Sequence, residues 1–543
     1  MRRRAAFSAL TLADVKPFAA SLALLAAMTV APRAKAQLPQ GGETPVNTYT
    51  SGNQAIPAIA TDSSGNFIVV WISKDQEGTG SGYGIYAQRY ASSGSAAGPE
   101  FRVNTYTTNG QGNASVAFDG AGAFVVVWQS LNQDGSSYGI LGQRFASSGA
   151  PLGGEFVVNS YTSGLQYGPS VFARGNGDFV AVWTSKGQDG ANYGVFGQRW
   201  ASSGARIGAE FRVNTFTTQN QSVARVAGTS AGDFVVVWQG YQQDGDSAGI
   251  FGQRYASDGS VLGTEFQVNA LTTDFQGFPK VSFDGKGAFV VVWASTTQTG
   301  AAADVFGQRY TSAGVRAGTQ FQINTYALDF QIQPDIASDS VGNFVVVWSS
   351  FSQDGDSYGI FGQLYASSGG RVGSEFRVNT FTTNRQIDPS VSSDSTGHFV
   401  VAWQSNLQDF SGYGIYAQRL CSNILSVTVT TTGSLAVCPT GTGGTATVTD
   451  SGGGVTSHQW VYKTSPMGAP NLIAGQTATS YLISGPDFAG GATGIYYLGC
   501  LTSSLSCGPQ MFSNDVIVTV SNDTTPPSVT APSAATATQT LCQ

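Results

Sequence analysis

At 543 residues the chain exceeds the usual size of one compact core, so more than one domain is expected. Only 11% of residues are charged, against about 25% in ordinary globular proteins, yet 41% are hydrophobic; this suits a turn-rich extracellular all-β protein and excludes disorder throughout. A net charge of -7 and a pI near 4.9 argue against nucleic acid or anionic membranes as partners.

The chain opens with Arg2, Arg3 and Arg4, an apolar stretch from Phe18 to Ala31, and Ala34-Lys35-Ala36. That is the order of an export signal, predicted to span 1–36 with cleavage after Ala36. The apolar stretch is too short to span about 30 Å of hydrocarbon, and no later segment is apolar enough to do so.

From there a unit repeats seven times. Trp71, Trp128, Trp183, Trp238, Trp293, Trp348 and Trp403 are spaced 57 residues once and 55 thereafter. Val-Asn pairs and Gln-Arg pairs recur in step, Leu364 replacing the Arg once. In the second unit the strand candidates are Ser115–Asp119, Phe124–Gln129 and Gly139–Phe145, with Glu100–Asn104 contributed by the preceding segment. Phe124-Val125-Val126-Val127-Trp128 is apolar without alternation, so both its faces should be covered. Four short strands repeated seven times predict an all-β, seven-bladed β-propeller over 37–420. The last unit stops at Leu420 without a Glu-Phe-x-Val-Asn strand, and the mature chain begins with its equivalent. Residues 43–48 are therefore expected to complete the blade formed by 389–420 and remove an open edge.

Polar residues recur in two expected loops. Gln54, Gln111, Gln166, Gln221, Gln276, Gln331 and Gln386 lie seven residues after the repeat Asn. Gln76, Gln133, Gln188, Gln243, Gln298, Gln353 and Gln408 lie five after the Trp, with Asp134, Asp189, Asp244, Asp354 and Asp409 directly behind five of them. One reading is turn chemistry, in which these side chains cap loop backbone. The other is a repeated ligand site, amides and carboxylates bonding sugar hydroxyls beside Tyr138, Tyr193, Tyr358 and Tyr413, with avidity from repetition. Asp244, Asp246, Asp354 and Asp356 offer hard oxygens to calcium, although these runs are too short for an EF-hand. An ion pair of the Gln-Arg arginine with the next Glu, such as Arg144 with Glu155, is doubtful because the exceptions Leu364 and Gln320 fall in different units.

The signs of catalysis are few. His398 and His458 are the only histidines, and no zinc spacing, Gly-x-Ser-x-Gly elbow or phosphate loop occurs. A glycosidase needs only two carboxylates, but no blade shows a unique cluster of them for the central channel. The chain is therefore expected not to be an enzyme.

After Cys421 the repeat gives way to alternating Thr/Val runs, with Trp460 between Cys438 and Cys500. This order resembles bacterial immunoglobulin-like domains, implying a β-sandwich over 421–521. Cys421, Cys438, Cys500 and Cys507 are disulfide candidates whose pairing is open. Asp523-Thr524-Thr525-Pro526-Pro527 resembles the opening of a hyalin-repeat module, so 522–543 reads as a linker and the start of a truncated one. The repeat itself, on Glu-Phe-x-Val-Asn-Thr, Phe-Val-Val-Val-Trp, Gln-Asp-Gly and Gly-Gln-Arg, resembles tandem repeats of large secreted bacterial surface proteins. That resemblance implies a secreted or surface location and carries over no catalytic residue. The sequence thus points to a secreted adhesion protein, monomeric or part of a longer chain, whose loop face binds extracellular glycan or protein ligands. A structural scaffold is the alternative, and no cofactor beyond calcium is suggested.

Overall fold

The computed structural model describes residues 38–421 except 191, 297–302 and 395–396, and beyond them the backbone of short segments between 427 and 520. The repeat becomes seven four-stranded antiparallel sheets. In the first blade the strands run Gln54–Thr61, Phe67–Lys74, Tyr83–Tyr90 and Phe101–Arg102, from the centre outward. The all-apolar second strand needs cover on both faces, and it gets it from the neighbouring blades. Ile68, Val70 and Ile72 of blade one pack with Val126, Trp128 and Leu141 of blade two, and the same pattern recurs at each junction. All seven Trp side chains are fully buried there.

The seventh junction closes the ring, with Val69 and Trp71 against Val400, Ala402 and Ile415. Leu38–Pro45 is the fourth strand of the last blade, pairing antiparallel with Tyr413–Cys421 in the register Thr44↔Ala417. The predicted closure is therefore present, beginning earlier than residue 43. Asn47 reinforces it, its Oδ1 accepting the Ile415 N–H at 2.6 Å. One strand assignment is corrected. Phe101–Arg102 pairs with Tyr83–Tyr90 and finishes the first blade, while Phe156–Val157 finishes the second. The reason is the turn after Tyr90, where Ala91 N–H bonds Ser95 O at 2.8 Å and Gly94 takes a φ of 88°, folding the chain straight back onto its own third strand.

The repeat's conserved polar residues join blades to one another. Arg254 donates to the carbonyls of Ser312 and Ala313 in the next blade's outer hairpin, and Arg309 likewise to Ser367 and Ser368. Arg144 reaches Ser202 in this way, so its partner is not Glu155. Leu364 is explained too: it faces the one blade whose fourth strand arrives from the N-terminus, so no outer hairpin is there to accept an arginine. Leu364 is buried in the apolar junction instead.

Beyond Cys421 the backbone forms two further sheets, one joining 427–432, 442–450 and 480–484, the other centred on 455–463 and 494–504. Trp460 stands opposite Cys500 in the second. The expected immunoglobulin-like packing, the cysteine side chains, the export signal and 522–543 lie outside the described residues. Among the described residues no helix is long and apolar enough to cross a membrane.

Candidate functional site

The two loop sets do meet on one face, through bonds to each other. Gln111, Gln166, Gln221, Gln331 and Gln386 are buried at 0–2% exposure, so they present no amide to solvent. Their side chains tie the loop down: Gln386 Nε2 donates to Thr383 O at 2.9 Å, and its Oε1 accepts from Asn379. Gln133, Gln188, Gln243, Gln353 and Gln408 are half-buried, and each donates to the Glu of the fourth strand of its own blade. Asp134, Asp244 and Asp354 accept from the repeat Asn at 3.1–3.3 Å, as Asp189 does from Asn214 at 3.4 Å. Asp409 caps the Ser411 N–H at 3.1 Å. Tyr138, Tyr193, Tyr358 and Tyr413 are half-buried; Arg385 sits over the Tyr358 ring at 5.3 Å. The turn-chemistry reading thus accounts for these glutamines and aspartates.

The Asp-Gly-Asp runs have the same character. Asp246 accepts the Asp274 N–H at 2.8 Å and Asp356 the Asn384 N–H at 2.7 Å, each in the next blade. In these bonds the two residues brace neighbouring blades. No three acidic, His or Cys side chains converge for a cation among the described residues. His398 opens the second strand of the last blade, bonded to Asp394 at 2.6 Å.

The centre of the ring is different. A cavity of about 590 Å³ is walled by the innermost strands of all seven blades, within the usual range for small-molecule sites. Each inner strand carries a β-bulge whose residue, two after the buried Gln, takes a left-handed φ: Ile56, Asn113, Gly168, Val223, Phe278, Gln333 and Asp388, all between 48° and 63°. For a side chain such as Val223 that costs about 1–2 kcal/mol. The bulge is held by a neighbour: Ile56 N–H donates to Gln404 Oε1 at 2.8 Å and Gly168 N–H to Gln129 Oε1 at 3.1 Å. A bulge re-aims the side chains around it, and here both the bulge residue and the one two further on line the cavity.

At these two positions the otherwise similar blades diverge. The second holds Ala58, Ser115, Ser170, Arg225, Lys280, Asp335 and Ser390. Three consecutive blades thus bring Arg225, Lys280 and Asp335 to one side, with Asp388 in the seventh blade beside them. Lys280 pairs with Asp335 at 3.1 Å, and Asp335 also accepts the N–H of Val391 and of Ile336, both at 3.0 Å. Gln333 donates to Asp388 and accepts from Ser349 at 3.2 Å. Burial lowers both Lys280 and Arg225, with Asp335 opposing. Burial raises the Asp388 carboxyl, against the pull of Lys280 and Arg385. Burial also pushes the Tyr167 hydroxyl, at the same wall, up to about 12. Sequence reasoning looked for what the repeats share, and so passed over the two positions where they differ.

No family model and no curated protein sequence matches the chain. Solved structures do. A protein of unknown function from Dyadobacter fermentans is similar over 70% of this chain and 97% of its own, at 10% identity and a TM-score of 0.45. A Penicillium chrysogenum alpha-L-arabinanase complexed with arabinobiose is similar over 70% and 98%, at 12% and 0.40. A K499G mutant of NanB sialidase from Streptococcus pneumoniae is similar over 70% and 71%, at 8% and 0.40. These values assign no activity to this chain. The expectation that it is not an enzyme is nevertheless corrected. Its ground was the lack of unique carboxylates in the channel, and Asp335 and Asp388, neither of which has an acidic counterpart in the other blades, both line it.

Proposed function

We propose that the propeller binds carbohydrate in its central channel. The observation that carries this reading is the divergence of the blades at the two channel positions, while their core and braces repeat. Repetition serves the ring; difference is what a single asymmetric ligand needs. The cavity combines hydrogen-bonding groups (Asn113, Gln333, Asp388) with exposed apolar surface at Phe278 and Ile56, the mixture that suits a sugar's hydroxyls and its apolar face. With the export signal and immunoglobulin-like tail read from the sequence, it would act in a secreted or surface-attached adhesion protein. Glycan-array binding of the full chain tests this, alongside Ala58→Trp, which plugs the channel without touching the loops. Binding lost in the variant supports the channel. Binding retained moves the site to the loop face, and silence of the parent protein across polysaccharides sinks the carbohydrate reading.

A second reading is glycoside hydrolysis, favoured by the environment of Asp388. A carboxyl that keeps its proton to higher pH, in a cavity that a second carboxylate, Asp335, also lines, has the two acidic groups that glycosidic cleavage uses. New reducing ends released from a polysaccharide panel by the parent chain, and lost in Asp388→Asn, would support it; none from the parent chain would count against it.

A further inference from the structure

Of the four charged side chains in the channel, Asp335 and Lys280 answer each other and Asp388 is held by Gln333. Arg225 is answered only through space, by the Asp335 carboxylate that already pairs with Lys280. Among the described residues its one hydrogen bond runs from Nη1 to the carbonyl of the adjoining Ala224 at 2.8 Å, and no carboxylate is in ion-pair contact with it. A guanidinium carries five N–H donors in a planar fork and cannot shed its charge in a protein, so donors remain to face the cavity. Desolvating a cation that makes no direct ion pair is costly, and burial disfavours its charged form here more than the field of Asp335 restores it. The other blades fill this position with Ala, Ser, Lys or Asp, so the fold itself does not require an arginine.

We infer that Arg225 anchors the carboxylate of an acidic saccharide, a uronate, in the central channel. This rests on reading the channel as a saccharide site. The planar fork matches a carboxylate through two parallel N–H···O bonds, which a lysine does not provide. A saccharide with one carboxylate per sugar is favoured over a densely sulfated polyanion, because Asp335 and Asp388 share the wall and repel crowded negative charge. Asp388 and Asn113 are placed for the hydroxyls, and Phe278, 44% exposed at the rim, for the ring's apolar face.

The test is calorimetric titration of the full chain with trigalacturonate, with neutral maltotriose and with dextran sulfate, repeated on Arg225→Met and Arg225→Lys. The expected result is that trigalacturonate binds about tenfold or more tighter than maltotriose, and that Arg225→Met removes this preference. Arg225→Lys should recover it only in part. The Met variant should melt no lower than the parent, since it discards a desolvated cation that makes no ion pair. Trigalacturonate binding unchanged in Arg225→Met, or dextran sulfate bound more tightly than trigalacturonate, overturns the anchor. Maltotriose bound as tightly as trigalacturonate leaves a channel saccharide site standing and removes the anchor alone. No binding of any saccharide removes both.

Discussion

Glu43 and Thr380 lie 337 residues apart, and one carboxylate oxygen joins them: Glu43 Oε2 accepts the Thr380 N–H at 2.7 Å and its hydroxyl at 2.9 Å. The other oxygen accepts from Gln408. The same three-way joint recurs as Glu100 with Thr48 and Gln76, and as Glu375 with Thr325 and Gln353. At Glu43 it is made by the N-terminal strand.

Charge-assisted bonds of this kind contribute more than neutral ones, about 1.5–3 kcal/mol each when buried and less when exposed. Glu43→Ala should therefore cost about 2 kcal/mol in urea unfolding. Glu43→Gln should cost less, because Gln320 makes the same bond to the Ala270 N–H at 2.8 Å in the native fifth blade. An equal loss from Gln and Ala would show that charge, not the acceptor, matters.

Trp238 is fully buried at the junction of blades three and four. Trp238→Ala should destabilise by about 3–5 kcal/mol through lost burial and the cavity left behind. Equilibrium denaturation checks this; a loss below about 1 kcal/mol would mean that the blades collapse to fill the space.

Arg309→Leu removes two exposed bonds to the next blade, and about 1 kcal/mol of stability should go with them. Leu364→Arg should give nothing back, since the seventh blade has no outer hairpin to accept it, and it buries a charge in an apolar junction. A stabilised Leu364→Arg variant would contradict this account of the exception.

Lys280→Met leaves Asp335 with its two backbone donors but no ion-pair partner, a loss of about 2–3 kcal/mol. Adding Asp335→Asn should return much of it. A double-mutant cycle measures the coupling, and additivity of the two changes would deny the ion pair any weight.

Asp388 predicts a pH dependence. Its carboxyl holds a proton in the folded state to higher pH than in the unfolded chain. Ionisation therefore costs stability as pH rises from the ordinary carboxylate value through the raised one, and the cost persists above. Around it stand Gln333, Lys280, Arg385 and Asp335, with Arg225 further along the wall. Asp388→Asn keeps an oxygen for Gln333 and should be more stable than the parent near neutral pH, with the gain shrinking towards about pH 3. A difference in melting temperature that does not vary with pH would refute this.

The sequence by itself determined the ring. Seven tryptophans at one interval, apolar strands needing cover on both faces, and a last unit lacking the strand with which the chain begins leave few arrangements other than a closed propeller, because burial and edge pairing are dictated by local pattern. It also placed the recurring Gln and Asp in loops of one face. Only the tertiary structure decided what they do there, since Gln133 meets Glu155 only when the fourth strand of its blade folds back, and Glu43 meets Thr380 only when the ring closes. The channel was hidden for a related reason. Arg225, Lys280, Asp335 and Asp388 are separated by 53–55 residues, scattered along the chain and ordinary one by one. They become a site only when closure brings seven inner strands around one axis, and when a left-handed bulge in each re-aims the side chains beside it, a backbone choice that residues as unlike as Ile56, Asn113 and Phe278 do not announce.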